Sequence, residues 1–125
     1  MYNNESSENY LETILILSKR LPVVRSVDIS EELNVSKPSV SVAMKKLREN
    51  DYIQVSKAGF ITLTPAGMKI ASSIYERHTF ISEWLMTLGV SRKTAVEDAC
   101  RMEHFISEES FTAMKKYIQN NKGQE

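Results

Sequence analysis

A chain of 125 residues, 42% hydrophobic and 26% charged, bounds one compact domain or two small units sharing a core. Sixteen basic and sixteen acidic side chains cancel, which argues against indiscriminate polyanion binding but permits specific binding through segregated charge. One cysteine excludes an intrachain disulfide framework; with no apolar run of membrane length and a polar N-terminus without a signal peptide, a cytoplasmic protein with no membrane partner is expected.

In chain order, residues 1–5 read as frayed. A first helix opens at Ser7-Glu8 and carries its apolar stripe through Tyr10, Leu11, Ile14, Leu15 and Leu17 to about Arg20, and Pro22 stops it. Ser26 is the expected cap of a short second helix with Ile29 and Leu33. Asn34-Val35-Ser36 reads as a tight turn. Ser36 then caps a third helix through Arg48, with Pro38 in the first turn and Val40, Ala43, Met44 and Leu47 inward. Two β-rich runs, Tyr52–Val55 and Phe60–Leu63, flank Ser56-Lys57-Ala58-Gly59 and predict a hairpin. Thr64-Pro65 starts the longest helix, through Ile70, Ile74, Ile81, Trp84 and Leu85 to a stop at Gly89. Ser91 caps a helix ending near Phe105, and Ser107 caps the last, to about Gln119; Asn120 onward reads as a polar tail.

Helix, turn, helix and hairpin in that order is the winged-helix arrangement. The predicted class is therefore mainly α: an N-terminal winged helix-turn-helix with a small β-hairpin wing over 1–64, then a helical dimerisation domain over 65–125. The helix over 37–48 would enter the major groove of double-stranded DNA. Small hydroxyls at its start let backbone N–H groups approach phosphates, where the helix dipole also favours an anion. Arg25 and Lys45 are expected to add phosphate contacts, with Lys57 at the wing tip and Lys37, Lys46 and Arg48 nearby.

Cys100-Arg101-Met102-Glu103-His104 carries the second signal. On a helix it puts a thiol, a carboxylate and an imidazole on one face, at i, i+3 and i+4. These donors differ in softness and together suit a divalent transition metal. His78 and Glu12 stand on two further predicted helices. A chance run is the competing reading, with Cys100 as a small buried hydrophobe and its neighbours on the surface.

The sequence resembles the diphtheria toxin repressor and manganese transport regulator family of metal-dependent repressors from about Glu8 to Glu109. The marks are Glu8-Asn9-Tyr10-Leu11-Glu12-Thr13-Ile14, Val35-Ser36-Lys37-Pro38-Ser39-Val40-Ser41, Leu63-Thr64-Pro65-Ala66-Gly67, Glu76-Arg77-His78 and Ala99-Cys100-Arg101-Met102-Glu103-His104. The resemblance implies a DNA-binding transcriptional regulator, a repressor, that senses divalent iron or manganese and is a homodimer built from its C-terminal half. It places metal ligands at Asn9, Glu12, His78, Cys100, Glu103 and His104, and DNA contacts at Arg25, Ser26, Ser36, Pro38, Ser39 and Ser41. Asn9 stands where relatives carry Asp or Met. Ser82 stands where many carry a carboxylate, and Glu83 lies about 100° further round the helix. Cys100 resembles the iron branch, and Val42 replaces a polar residue of that branch's reader. An SH3-like extension is not expected within these 125 residues, as in the manganese branch.

Mixed O, N and S ligands suit Fe²⁺ or Mn²⁺, with Zn²⁺, Co²⁺ and Ni²⁺ as alternatives. A palindromic operator would match a two-fold dimer. The dimer is expected from an exposed apolar stripe, Ala95, Ala99, Met102, Phe105, Ile106, Phe111 and Met114. Phe80, Trp84, Phe105 and Phe111 read as core or dimer interface, and Arg77 as a solvated neighbour of His78. The leading alternative is a metal-independent winged-helix regulator with a degenerate metal site. An enzyme using Cys100 as nucleophile and His104 as base finds no orienting third group, so no enzymatic activity is expected.

Overall fold

The computed structural model describes residues 5–122. Within them run α1 (Glu5–Arg20), α2 (Ser26–Leu33), α3 (Lys37–Glu49), β1 (Ile53–Val55), β2 (Ile61–Leu63), α4 (Pro65–Thr87), α5 (Arg92–Phe105) and α6 (Glu108–Lys122). The strands pair antiparallel, with Ile53 opposite Leu63 and Val55 opposite Ile61. Two compact units part between Ile74 and Tyr75, inside α4.

The first unit is built by apolar faces at helical and strand spacing. Leu11, Ile14 and Leu17 of α1, Ile29 of α2, Val40, Met44 and Leu47 of α3, and Ile53 and Ile61 of the hairpin are all buried. Each such side chain contributes about 1.5–3 kcal/mol by leaving water. The turn between α2 and α3 depends on Asn34, left-handed at φ 54°, a conformation Asn tolerates better than most residues. Ser36 caps α3 by accepting from the Ser39 N–H at 3.2 Å. The expected cap at Ser26 lies one residue earlier. Arg25 is the N-cap, and the Asp28 carboxylate reaches back to its N–H at 2.8 Å. The Val24 carbonyl also accepts from the Ile61 N–H at 2.8 Å, which fastens this loop to the wing.

Thr64 and Gly67 explain the Thr64-Pro65-Ala66-Gly67 run. The Thr64 hydroxyl accepts from the Gly67 N–H at 3.1 Å and donates to the Asp51 carbonyl at 2.7 Å. A Cβ on Gly67 would lie 2.0 Å from the Tyr52 carbonyl oxygen, so only glycine lets α4 begin there.

In the second unit Ile81, Ala99 and Phe111 form a buried cluster, with Phe80, Leu85, Met102 and Ile106 packed against it. Ser91 caps α5 by accepting from the Thr94 N–H, and Ser107 accepts from the Ser110 N–H at the start of α6. Gly89 takes φ 99° after α4, a conformation that favours glycine. The last helix continues to Lys122, so Asn120 is helical and exposed, and only residues 123–125 of the expected tail lie outside the described residues. At the other end Glu5 is already helical, and the remaining residues expected to be frayed lie outside the described ones.

The apolar stripe expected to be exposed on the last two helices is a correction. Ala95, Ala99 and Phe111 are buried within the chain, Met102, Ile106 and Met114 are half-buried, and only Phe105 stands out, at 66% exposed. An apolar periodicity identifies a face to be covered but not what covers it. Phe105 is accordingly no core residue.

Candidate metal centre and nucleic-acid interface

The described residues contain both histidines of the chain, and both rings lie on one carboxylate. Glu103, in the last turn of α5, is completely buried. Its Oε2 is 3.0 Å from His78 Nδ1 on α4, and its Oε1 is 3.3 Å from His104 Nε2. The His104 side chain is itself 1% exposed. A buried carboxylate is expensive unless it is paired and hydrogen-bonded. His78 supplies a hydrogen bond to Oε2, and His104 stands within ion-pair distance of Oε1.

The same donor set fits a divalent transition metal. Two ring nitrogens and a carboxylate are ligands of borderline softness. Donors about 2.0–2.2 Å from one ion stand about 3–3.5 Å from each other, the range of both separations here. Glu103 and His104 follow one another in the last turn of α5. Cys100 lies one turn earlier and is exposed, not buried as a small hydrophobe. Glu12 and Asn9 belong to the first unit. Glu12 is buried and Asn9 half-buried, and the Asn9 carbonyl accepts from the Thr13 hydroxyl at 2.8 Å.

Arg77 was expected in solvent, and the structure overturns this. Its side chain is 11% exposed. Its guanidinium donates to the Glu103 carbonyl at 3.1 Å, the Ile106 carbonyl at 2.7 Å and Glu108 Oε1 at 3.2 Å. Backbone acceptors have no signature in a sequence, so this fixture was not readable there. Glu76 of the same α4 turn pairs with Lys115 of α6.

All nine proposed DNA contacts, Arg25, Ser26, Ser36, Lys37, Pro38, Ser39, Ser41, Lys45 and Lys57, are exposed. On α3 the spacing 38, 41, 42, 45 puts Pro38, Ser41, Val42 and Lys45 on the face opposite Val40, Met44 and Leu47, and Val42 is 57% exposed. No acidic residue occupies the first turn of α3, so its positive dipole end is uncompensated. Ser36 is committed to its cap: besides accepting from Ser39, its hydroxyl donates to the Ser39 hydroxyl at 2.8 Å. The Arg25 guanidinium lies 4.9 Å from the centroid of the Phe60 ring, at the base of the wing. Lys57 sits in the wing loop, closed by the Ser56 N–H donating to the Phe60 carbonyl and by Gly59 at φ 85°.

Comparison with known proteins identifies the two halves of the chain by family. Residues 4–59 match the iron dependent repressor N-terminal DNA binding domain, and residues 64–124 match the iron dependent repressor metal binding and dimerisation domain. The chain is 34% identical over 120 residues to the transcriptional regulator MntR of Salmonella typhimurium, covering 96% of this chain and 76% of that protein. It is 34% identical over 102 residues to the HTH-type transcriptional regulator MntR of Geobacillus kaustophilus, covering 82% and 72%. Among solved structures, the manganese regulator SloR is similar with a TM-score of 0.80 at 32% identity over 95% of this chain. The metal-dependent transcriptional regulator MtsR is similar with a TM-score of 0.85 at 25% identity over 93%. The chain spans 55% and 54% of those two solved chains, about half their length. No helix among the described residues is long and apolar enough to cross a membrane. The chain belongs to the iron-dependent repressor family of metal-dependent, DNA-binding transcriptional regulators.

Proposed function

We propose that this chain is a homodimeric repressor that binds a palindromic operator when Fe²⁺ or Mn²⁺ is available. The observation that carries the metal reading is the buried Glu103 carboxylate between His78 and His104. A protein gains nothing in stability from burying a carboxylate that two well-packed apolar groups could replace, so a ligand role accounts for its retention. A divalent cation held by His78, Glu103 and His104 would supply positive charge beside the buried carboxylate.

In this proposal His78, Glu103 and His104 are joined by Cys100 and, from the first helix, by Glu12 and Asn9. Glu12 lies on α1, just before the reader, whereas the other principal ligands lie beyond the wing. Ligation by both groups would fix the reader relative to the dimerising half. That is linkage between two sites, and it must be reciprocal. The functional division is placed at 64/65, with the reader before it and the ligand helices α4 and α5 after it.

On the DNA side, Arg25 and Lys45 take phosphates, with Lys37 and Lys57 beside them. Pro38, Ser39 and Ser41 meet base edges and thymine methyls, and Ser26 and Ser36 hold the helix starts against the backbone. The MtsR and SloR neighbours are described as a metal-dependent regulator and a manganese regulator, which supports the metal class without choosing within it. Titrating the purified chain with Mn²⁺, Fe²⁺ and Zn²⁺ while reading its binding to a palindromic promoter fragment tests the proposal. Operator binding should appear with metal and vanish with chelator. Binding that ignores both would instead favour the metal-independent regulator.

A further inference from the structure

We infer that Arg77 is a positioning residue of the metal centre, a guanidinium clamp that holds the α5 turn bearing Glu103 and His104 against the α4 turn bearing His78. The inference rests on the metal-binding reading above and adds a residue that is not itself a ligand.

Arg77 directly precedes His78, so fixing its backbone fixes the ring's origin as well. Its Nη1 donates to the main-chain carbonyls of Glu103 and Ile106, at 3.1 and 2.7 Å. These lie at the C-terminal end of α5, where carbonyls lose their helical partners and the dipole favours a cation. One of them belongs to the ligand residue Glu103. Its Nη2 donates to Glu108 at the start of α6, at 3.2 Å. The guanidinium carbon also lies 5.4 Å from the centroid of Phe111, a member of the buried cluster. These four partners, all between Glu103 and Phe111, hold the guanidinium group against the end of α5 and the start of α6. A lysine ammonium has neither the planar fork nor the reach to serve two carbonyls and a carboxylate together.

The consequence concerns coordination geometry. Ligand atoms must be held within about 0.2 Å of their ideal distances. The His78–Glu103 separation is set between two helices, and besides His78 itself Arg77 bonds from α4 to the ligand-bearing turn of α5. Glu108, although exposed, orients the clamp from α6.

The test uses the full chain with Co²⁺ as probe, because the visible bands of Co²⁺ follow the number and arrangement of its ligands. Three quantities are read for the parent, Arg77→Lys and Glu108→Gln: Co²⁺ affinity by competition with a chromophoric chelator, the Co²⁺ spectrum, and the melting temperature without metal. Arg77→Lys should lose about 10–100-fold in affinity, the range for residues that orient ligands, and its bands should shift. Glu108→Gln should shift the bands the same way with a smaller loss. A purely structural Arg77 would lower the metal-free melting temperature and leave spectrum and affinity unchanged, and that result would overturn the inference. If Arg77→Lys does not fold, Glu108→Gln decides, and a parent-like spectrum and affinity overturn it equally. A parent chain that binds no Co²⁺ would overturn the metal reading itself, whereas a binding parent matched by both variants overturns only the role of Arg77.

Discussion

His78 Nδ1 and Glu103 Oε2 lie 3.0 Å apart, joining the middle of α4 to the last turn of α5 through a carboxylate with no solvent exposure. In the proposed function Glu103 is kept for binding at a cost in stability. Without metal, Glu103→Gln should melt at or above the parent temperature, because a neutral amide is easier to bury. With metal at a hundred times its dissociation constant, the parent should gain about 2.7 kcal/mol and the variant almost none. Thermal unfolding with and without Mn²⁺ or Zn²⁺ checks this. A variant that gains as much as the parent would remove Glu103 from the ligand set.

Gly67 offers a case where two effects compete. Ala in a helix interior is normally better than Gly by about 1 kcal/mol. Here the new methyl would lie 2.0 Å from the Tyr52 carbonyl oxygen, which also accepts the Thr64 N–H at 3.1 Å. Backbone cannot swing away as a side chain does, so the clash wins. Gly67→Ala should destabilise the chain by about 1–3 kcal/mol, the usual range for overpacking. Chemical denaturation measures it, and a variant more stable than the parent would contradict the close approach.

Much of this was legible from residue order. Ser36, Ser91 and Ser107 announced three helix starts because capping needs a short side-chain acceptor, and each accepts from an N–H three residues on. That Glu103 and His104 share one helical turn was legible from spacing, whereas their meeting with His78 depends on the packing of α4 against α5. Arg25 was missed as a cap because its side chain gives no capping signal; Asp28 does the work through the Arg25 N–H. Arg77 was missed because its main partners are carbonyls. The burial of Ala95, Ala99 and Phe111 was missed because amphipathic patterns do not say whether a face is covered by its own chain or by another.

Cys100 tests metal choice. It is exposed, so substitution there should cost little in folding. Cys100→Ser should weaken Zn²⁺ or Fe²⁺ more than Mn²⁺, since manganese prefers oxygen, and Cys100→Glu should move the preference towards Mn²⁺. Affinity for every metal should also fall on acidification, because the ligands must shed protons to bind. Competition titrations read all three. Equal losses for every metal in Cys100→Ser would take Cys100 out of the centre.

The reader's face makes a separate forecast. Lys45 is exposed on the outer side of α3, in line with Pro38 and Ser41. Lys45→Ala should weaken all DNA sequences alike and reduce the salt slope by about one. Changing Pro38 should instead alter which operator is preferred, by about 1–3 kcal/mol per affected base pair. Binding of both variants to operator and scrambled DNA over a salt series separates the two. A Lys45→Ala chain with altered sequence preference and an unchanged salt slope would reverse the proposed orientation of α3.

The central claim is that the centre at His78, Glu103 and His104 and the reader on α3 are thermodynamically linked. It is tested most directly by calorimetric titration of Mn²⁺ into the chain alone and into the chain saturated with operator DNA, at one ionic strength. The account predicts tighter metal binding on DNA, by about 5–150-fold for a coupling of 1–3 kcal/mol, and the same factor when DNA affinity is measured with and without metal. Metal affinity identical in the two titrations would contradict it.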